Sequence, residues 1–249
     1  MSKHIFLAGA SGTIGRRLLP QLLEAGHQVS GMTRSRQSAQ DLERQGVAAV
    51  VVDVFDGDRL RDVIKSARPE IVIHQLTDLS LLGSDPDRSA TAISRNARIR
   101  TEGTRNLVQA SLAAGARRII AQSIAWAYAP GPKPYSEDDP LDGNAPAPRS
   151  TTVGGVVALE DAVLRSPGLR GTVLRYGHLY GPHTTSAFPM GETPVHVDAA
   201  ARAALLAADR DVTGIFNIAE PNSSVTTDKA ESKLDWDHTF RLPPELERE

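Results

Sequence analysis

Three glycines near the start of the chain have the spacing of a phosphate-binding turn. The segment Gly9-Ala10-Ser11-Gly12-Thr13-Ile14-Gly15 follows an apolar run that begins at His4 and precedes an amphipathic helical pattern. The first glycine allows the chain to turn, the second lets the backbone approach a pyrophosphate, and the third allows close packing of helix on strand. The helix would also offer free N–H groups to phosphates. The segment therefore predicts dinucleotide binding through Gly9, Ser11, Gly12, Thr13 and Ile14.

Basic and hydroxyl side chains follow the second strand-like run. That run ends Met32-Thr33-Arg34-Ser35-Arg36, where many NAD sites carry a carboxylate that holds the ribose 2′-hydroxyl. Guanidinium groups instead suit a 2′-phosphate, which they can bind through paired hydrogen bonds. Solvated surface arginines are the alternative interpretation. The sequence favours NADP(H) over NAD(H), with Arg34 as the contact.

Hydroxyl and imidazole side chains lie where two later strands end. Ser123 and Tyr128 follow one strand, and Tyr176, His178 and Tyr180 follow the next. Because the carboxyl ends of parallel strands meet at one edge of a sheet, we expect these side chains to gather there. Ser123 and Tyr128 are the predicted catalytic residues if turnover exists, with His178 shaping the pocket. Tyr128 could equally be a pocket wall with a satisfied hydroxyl.

The elements that position these residues alternate between strand and helix along the chain. Such alternation predicts an α/β fold, a Rossmann-like doubly wound parallel sheet, in a single domain over residues 1–249. The predicted strands are His4–Gly9, Gln28–Thr33, Val47–Val52, Glu70–Leu76, Arg117–Ser123, Gly171–Tyr176 and Gly214–Ala219. The predicted helices are Ile14–Ala25, Ser38–Gln45, Asp58–Ala67, Arg88–Ala114, Val153–Arg165 and Asp198–Ala208.

Two segments interrupt the alternation and lie after strand ends. Residues 129–150 contain six prolines, and residues 181–197 contain a further proline- and glycine-rich stretch. Ligands of open α/β sheets bind outside the carboxyl ends of the strands, so we expect these loops to wall a small-molecule substrate site. The second loop and a short extension over residues 220–249 predict a reduced C-terminal substrate-binding region.

Composition excludes several classes of protein. The chain has 249 residues with 28 Lys+Arg against 30 Asp+Glu, a net charge of −2, which argues against nucleic-acid and membrane-surface partners. There is no cysteine, and the seven histidines form no pair of metal-ligand spacing, so no metal site is expected. No apolar run is long enough to span a membrane, and the sequence before the first strand lacks signal-peptide features. A cytoplasmic location is predicted, and a homodimer is one oligomeric state that the sequence leaves open.

The set of motifs resembles the short-chain dehydrogenase/reductase superfamily, in its extended and atypical branch of epimerases and dehydratases. The resemblance covers roughly residues 4–220. Its motifs are the glycine turn, Asp53-Val54, His74-Gln75-Leu76-Thr77, Gly103–Val108, Glu137–Leu141, Leu174–Pro182 and His196–Ala200. The resemblance implies further cofactor contacts at Asp53, Val54, Leu76, Thr77, Tyr176 and His178.

One motif of that superfamily is missing. Its members carry Tyr-x-x-x-Lys, in which the tyrosine is the general acid/base and the lysine lowers the tyrosine pKa and binds the nicotinamide ribose. If Glu160 is the glutamate that follows this lysine, Thr152 and Val156 occupy the two positions, and neither Tyr nor Lys occurs between residues 136 and 175. Arg100 falls at the position where members usually carry an asparagine that supports the lysine, although Asn96 lies one turn earlier.

Three functions fit an intact glycine turn without that pair. The first is an NADP(H)-dependent oxidoreductase or epimerase-like enzyme of atypical type, acting on a small carbonyl, hydroxyl or sugar-type substrate. Hydride transfer depends mainly on positioning, and substrate or solvent could supply a proton. The second is a catalytically impaired nucleotide sensor or regulator. The third uses the nucleotide pocket for another chemistry. The surviving polar side chains favour the first.

Overall fold

The computed structural model describes residues 2–78 and 85–246. Its nine strands are β1 (His4–Ala8), β2 (Gln28–Thr33), β3 (Ala48–Val51), β4 (Ile71–His74), β5 (Arg118–Ile124), β6 (Arg170–Tyr176), β7 (His178–Tyr180), β8 (Pro194–His196) and β9 (Gly214–Ile218). Seven of them form a parallel sheet in the order β3-β2-β1-β4-β5-β6-β9. The order reverses between β1 and β4, which creates the crevice where such sheets bind ligands. The predicted Rossmann-like fold is confirmed.

Helices cover both faces of the sheet. They are α1 (Thr13–Glu24), α2 (Arg36–Arg44), α3 (Gly57–Ala67), α4 (Pro86–Arg98), α5 (Thr104–Ala113), α6 (Arg149–Leu164), α7 (Val197–Asp209) and α8 (Asp228–Leu234). Alternate residues of β1 show how the layers divide: Ile5 and Leu7 pack in one core cluster, and Phe6 and Ala8 in the other. Because strand side chains alternate between faces, the continuous apolar run of a central strand supplies both cores.

The structure differs from the predicted elements in three places. The predicted helix Arg88–Ala114 is divided into α4 and α5 by a π-helical segment, Ile99–Gly103. The predicted loop 181–197 contains β8, which pairs with β7 outside the main sheet. Helix α8 has no counterpart in the prediction, because its short sequence carries too few turns of apolar periodicity. Within the described residues, no helix is both long and apolar enough to cross a bilayer.

Candidate functional site

The glycine turn leaves no room for side chains where β1 passes into α1. Gly9 has φ +93°, and a Cβ there would lie 2.8 Å from the Gln75 carbonyl oxygen. A Cβ on Gly15 would lie 2.1 Å from the Gly9 carbonyl oxygen. Helix α1 begins with Gly12 as an N-cap that provides no side-chain hydrogen bond, and its first turn carries no acidic residue. An open backbone cradle at an uncapped helix N-terminus fits the pyrophosphate of a dinucleotide.

The two hydroxyl residues of this turn are anchored to neighbouring segments. Ser11 Oγ lies 3.2 Å from Thr33 Oγ1 at the end of β2. Thr13 Oγ1 donates a 3.2 Å hydrogen bond to the His183 carbonyl in the loop before β8. The turn therefore connects the end of β2 with the loop on the substrate side.

A small pocket of about 30 Å³ lies beyond the ends of β2 and β3. It is lined by Met32, Arg34, Asp53, Val54, Phe55, Leu76, Thr77 and Ile99. The structure thus brings together five of the predicted cofactor residues. Asp53 accepts a 2.9 Å hydrogen bond from the Phe55 N–H, which fixes the carboxylate at the pocket rim. The Arg34 side chain is 59% exposed, with Nη2 3.8 Å from Asp78 Oδ2.

A buried ion pair occupies the ends of β5 and β6. Arg175 Nε and Nη2 donate to Glu160 of α6 at 2.9 and 2.7 Å, and Ser123 Oγ donates to the same carboxylate at 2.7 Å. Burial lowers the pKa of Arg175, but the hydrogen bonds and charge of Glu160 outweigh it and hold that pKa above its ordinary value. The Ser123 hydroxyl is therefore bonded to a carboxylate that is already paired with arginine.

Tyr128 extends this network toward β9. Its hydroxyl accepts a 2.9 Å hydrogen bond from Arg175 Nη1 and donates a 2.6 Å bond to Asn217 Oδ1. Glu137 closes the network by accepting from the Asn217 N–H at 2.8 Å. Burial raises the pKa of Tyr128 above its ordinary value, against the opposing effect of Arg175. The phenol stays protonated at neutral pH, with its proton committed to Asn217.

The three residues predicted from β6 onward, Tyr176, His178 and Tyr180, are each bonded to another part of the chain. Tyr180 donates a 2.6 Å hydrogen bond to Glu220. Tyr176 is buried, accepts a 3.4 Å hydrogen bond from Gln75 Nε2, and has its pKa raised by burial. His178 stacks on Trp126 with ring centroids 5.7 Å apart, and its Nδ1 lies 3.2 Å from Thr193 Oγ1. Burial lowers the pKa of His178, so the ring is neutral at pH 7. Tyr176 is thus held within the core, and His178 is held between Trp126 and Thr193.

A pocket of about 260 Å³ opens between the two predicted loops. It is lined by Ala125, Trp126, Tyr128, Pro130, Lys133, Tyr135, Arg149, Glu192, Thr193, Ser224 and Val225. Lys133 pairs with Glu192 and its Nζ also lies 3.1 Å from Ser224 Oγ, so three segments meet at this side chain. Lys133, Arg149 and Glu192 are not predicted from the sequence, because single charges in proline-rich loops or at the first turn of a helix have no periodic or motif signal.

Helix α6 carries neither tyrosine nor lysine along its whole length. Val156 is fully buried and packs with Val153 and Ala127. Thr152, one turn before it, is partly buried. This helix therefore offers neither the tyrosine nor the lysine of the missing motif, and its cation at the site is Arg149 in its first turn.

The switch-point crevice, the glycine cradle and the pocket beyond β2 and β3 define a dinucleotide-binding protein of the Rossmann class. The chain belongs to the NAD dependent epimerase/dehydratase family, whose model matches residues 5–194. It is 42% identical over 238 residues to the 3-diazoavenalumate denitrifying reductase of a Streptomyces species, covering 87% of this chain and 76% of that protein.

More distant similarities extend across the family. A UDP-N-acetyl-alpha-D-glucosaminuronate decarboxylase of Bacillus cytotoxicus is 24% identical over 206 residues, covering 80% of this chain and 62% of that protein. The fold is shared with an enzyme of Bordetella bronchiseptica crystallised with NAD, at a TM-score of 0.75 and 18% identity, covering 97% of this chain and 91% of that one. The chain thus spans less than two thirds of the decarboxylase.

Proposed function

We propose that this protein is an NAD(P)H-dependent reductase that removes a diazo nitrogen pair from a small aromatic substrate. The observation that carries the proposal is an intact glycine cradle beside a helix α6 without tyrosine or lysine. The relative that is 42% identical is named for a denitrifying reduction of a diazo compound. The two facts agree because this reaction needs a hydride but no proton from the protein.

The atoms and electrons of the reaction balance without a proton from the protein. When bound, NAD(P)H supplies a hydride and becomes NAD(P)⁺. An aryl diazonium carbon forms a C–H bond with the hydride electron pair, while the C–N bond breaks and its electron pair leaves with N₂. No proton enters or leaves. Carbonyl reduction, by contrast, requires a proton on oxygen, which in general catalysis accounts for about 10²–10⁴-fold of the rate.

The substrate pocket supports a small planar ligand. Its volume of about 260 Å³ lies below the roughly 300–1,000 Å³ of most ligand pockets, which suits one ring with a short substituent better than a sugar nucleotide. Trp126, Tyr128 and Tyr135 give aromatic walls, while the cations of the lining are paired, Lys133 with Glu192 and Arg149 with Asp142. A small aromatic ring matches these walls.

NADP(H) is the proposed cofactor, held by the residues of the glycine turn and of the pocket beyond β2 and β3. The support is Arg34, whose exposed guanidinium lies at the rim of that pocket. Its Nη2 is 3.8 Å from Asp78 Oδ2, which is longer than a hydrogen bond. Asp53, Val54, Leu76 and Thr77 form its walls, and Tyr176 and His178 are the proposed contacts on the other side of the crevice.

The test uses the purified protein, NADPH deuterated at nicotinamide C4, and the diazonium salt of 3-aminocinnamate. We expect N₂ release and cinnamate with deuterium at the carbon that carried nitrogen, above the rate without protein. Tyr128→Phe should keep turnover within about tenfold. A fall of about 10²–10⁴-fold would instead assign Tyr128, with Ser123, to acid catalysis on a carbonyl-type substrate.

A sensor without turnover is the second candidate. It is favoured by the buried network, in which the Ser123 and Tyr128 hydroxyls are both bonded to protein groups. NADPH binding with no turnover of the diazonium probe or of a carbonyl and sugar-nucleotide panel would select it. The homodimer and the cytoplasmic location stay predictions.

A further inference from the structure

One buried arginine has no hydrogen-bond or ion-pair partner among the residues that the structure describes. Four arginines in the described part of the chain are buried: Arg17, Arg100, Arg118 and Arg175. Arg17 pairs with Asp198, Arg118 donates to the carbonyls of Ala207 and Ala208, and Arg175 pairs with Glu160. Arg100 is 6% exposed, yet within the described residues its guanidinium makes no hydrogen bond and no ion pair.

Arg100 lies beside the crevice at the ends of β4 and β5. It belongs to the π-helical segment, next to Ile99 of the pocket beyond β2 and β3. Across the helix interface, a Cβ on Gly155 of α6 would lie 3.4 Å from the Arg100 Cβ. Burial, and then the charge of Arg100, lower the pKa of His74 at the end of β4 to about 3. The cation therefore lies close to the end of β4 and packs against α6.

Arg100 is not completely sealed, since 6% of the residue is exposed. A π-helical segment is itself a frequent feature of functional sites.

The charge of Arg100 is surplus. Glu160 acts on it through space, but that carboxylate is already matched by Arg175. Burial lowers the pKa of Arg100 to about 10, so the group is still charged at neutral pH. An uncompensated buried cation is costly, and replacing it by an apolar residue is often stabilising. A buried charge without a protein partner is expected at a functional site, where a bound ligand supplies the partner.

We propose that Arg100 donates hydrogen bonds to the ribose oxygens of the nicotinamide half of the bound dinucleotide, and so provides from the π-helical segment a cation in place of the lysine that α6 lacks. A dinucleotide bound at a switch point extends from the pocket beyond β2 and β3, across the glycine turn, to the ends of β4 and β5. The inference rests on the family's dinucleotide site, and it holds whether or not the diazo reductase proposal is correct. An anionic oxygen of the substrate is the other group that would accept hydrogen bonds from this guanidinium.

The test compares Arg100→Met and Arg100→Lys with the wild type by calorimetric titration of two probes. NADPH carries both halves of the dinucleotide, and 2′,5′-ADP carries only the adenosine half. Arg100→Met should weaken NADPH by about tenfold to a hundredfold, the range for hydrogen bonds to a charged group, and leave 2′,5′-ADP within twofold. Arg100→Lys should restore part of the loss, since it restores the charge.

Thermal unfolding without ligand gives a second readout that does not depend on binding. Arg100→Met should raise the melting temperature, because it removes an unpaired buried charge. Arg118→Met is the matched control: that arginine is buried but bonded to carbonyls. It should lower the melting temperature and leave NADPH affinity unchanged.

Three results would overturn the proposal. One is NADPH affinity within twofold of wild type in Arg100→Met. Another is equal weakening of NADPH and 2′,5′-ADP, which would indicate damage to the whole site. The last is unchanged NADPH affinity with weakened binding of cinnamate, which would assign Arg100 to an anionic oxygen of the substrate.

Discussion

The two halves of the crevice are built by different means. Around β1 to β3 the site consists of backbone and space: Gly9, Gly12 and Gly15 leave a cradle that any Cβ would narrow. Around β4 to β6 it consists of buried charge: Arg175 is paired to Glu160, and Arg100 has no ion pair within residues 2–78 and 85–246. The first half should therefore lose nucleotide binding when a side chain is added to a glycine. The second half should lose stability when a buried charge is left without its partner.

The largest expected effect lies in the charged half. Glu160→Ala leaves Arg175 buried without its carboxylate, which should cost about 3–5 kcal/mol of folding free energy. Chemical denaturation measures it. Glu102→Ala is the control, since its i,i+4 pair with Arg98 is exposed and should matter little. Equal small losses in both variants would show that the network does not stabilise this half.

The glycine half should respond to an added methyl group. In Gly15→Ala the new Cβ would lie 2.1 Å from one carbonyl oxygen and 2.7 Å from the next, so the turn must shift. We expect about 1–3 kcal/mol of destabilisation and loss of measurable NADPH binding. Gly154→Ala is matched to it, because nothing lies within 4 Å of that position in α6. NADPH binding unchanged in Gly15→Ala would refute the cradle.

Arg34→Ala should weaken NADPH by about tenfold to a hundredfold, because one guanidinium-to-phosphate interaction is lost. NADH should change little, since it has no 2′-phosphate. Titration of both nucleotides against the same variant measures the difference. Equal losses of affinity for the two nucleotides would show that Arg34 does not contact the 2′-phosphate. The preference for NADP(H) over NAD(H) would then have no support from this residue.

The same contrast explains what the sequence could predict. The glycine turn, Asp53 and Val54 are local motifs directly after strands, so their place in the fold follows from strand order alone. The network of Ser123, Glu160 and Asn217 joins residues far apart in the chain, and no local pattern indicates which carboxylate meets which arginine. The sequence shows Arg100 only as an unusual residue at a helix position. Whether a buried arginine has a partner depends on how the helices pack, which the sequence does not show.

A further expected effect, gradual because it is spread over several pH units, is a pH dependence at the junction of the two halves. His74 Nδ1 accepts from the Leu76 N–H at 3.2 Å, and Nε2 bonds to Thr104 Oγ1 at 3.0 Å, so the ring is buried and neutral. Burial, with Arg100, lowers its pKa to about 3 from 6.5. The unfolded chain therefore binds a proton below pH 6.5 that the folded chain does not. His74 contributes fully above pH 6.5, and its contribution falls by up to about 1.4 kcal/mol per pH unit as the pH drops toward 3.

Denaturation curves at pH 7, 6, 5 and 4 should show this loss in the wild type. In His74→Asn the amide keeps an acceptor for Leu76 but cannot titrate, so the variant should start less stable at pH 7 and fall less steeply on acidification. His183→Asn is the matched control, because His183 is exposed and its positive φ of 61° suits asparagine. Its slope should equal that of the wild type. The same slope in His74→Asn would mean that acid acts on this fold through its carboxylates and not through the imidazole beside Arg100.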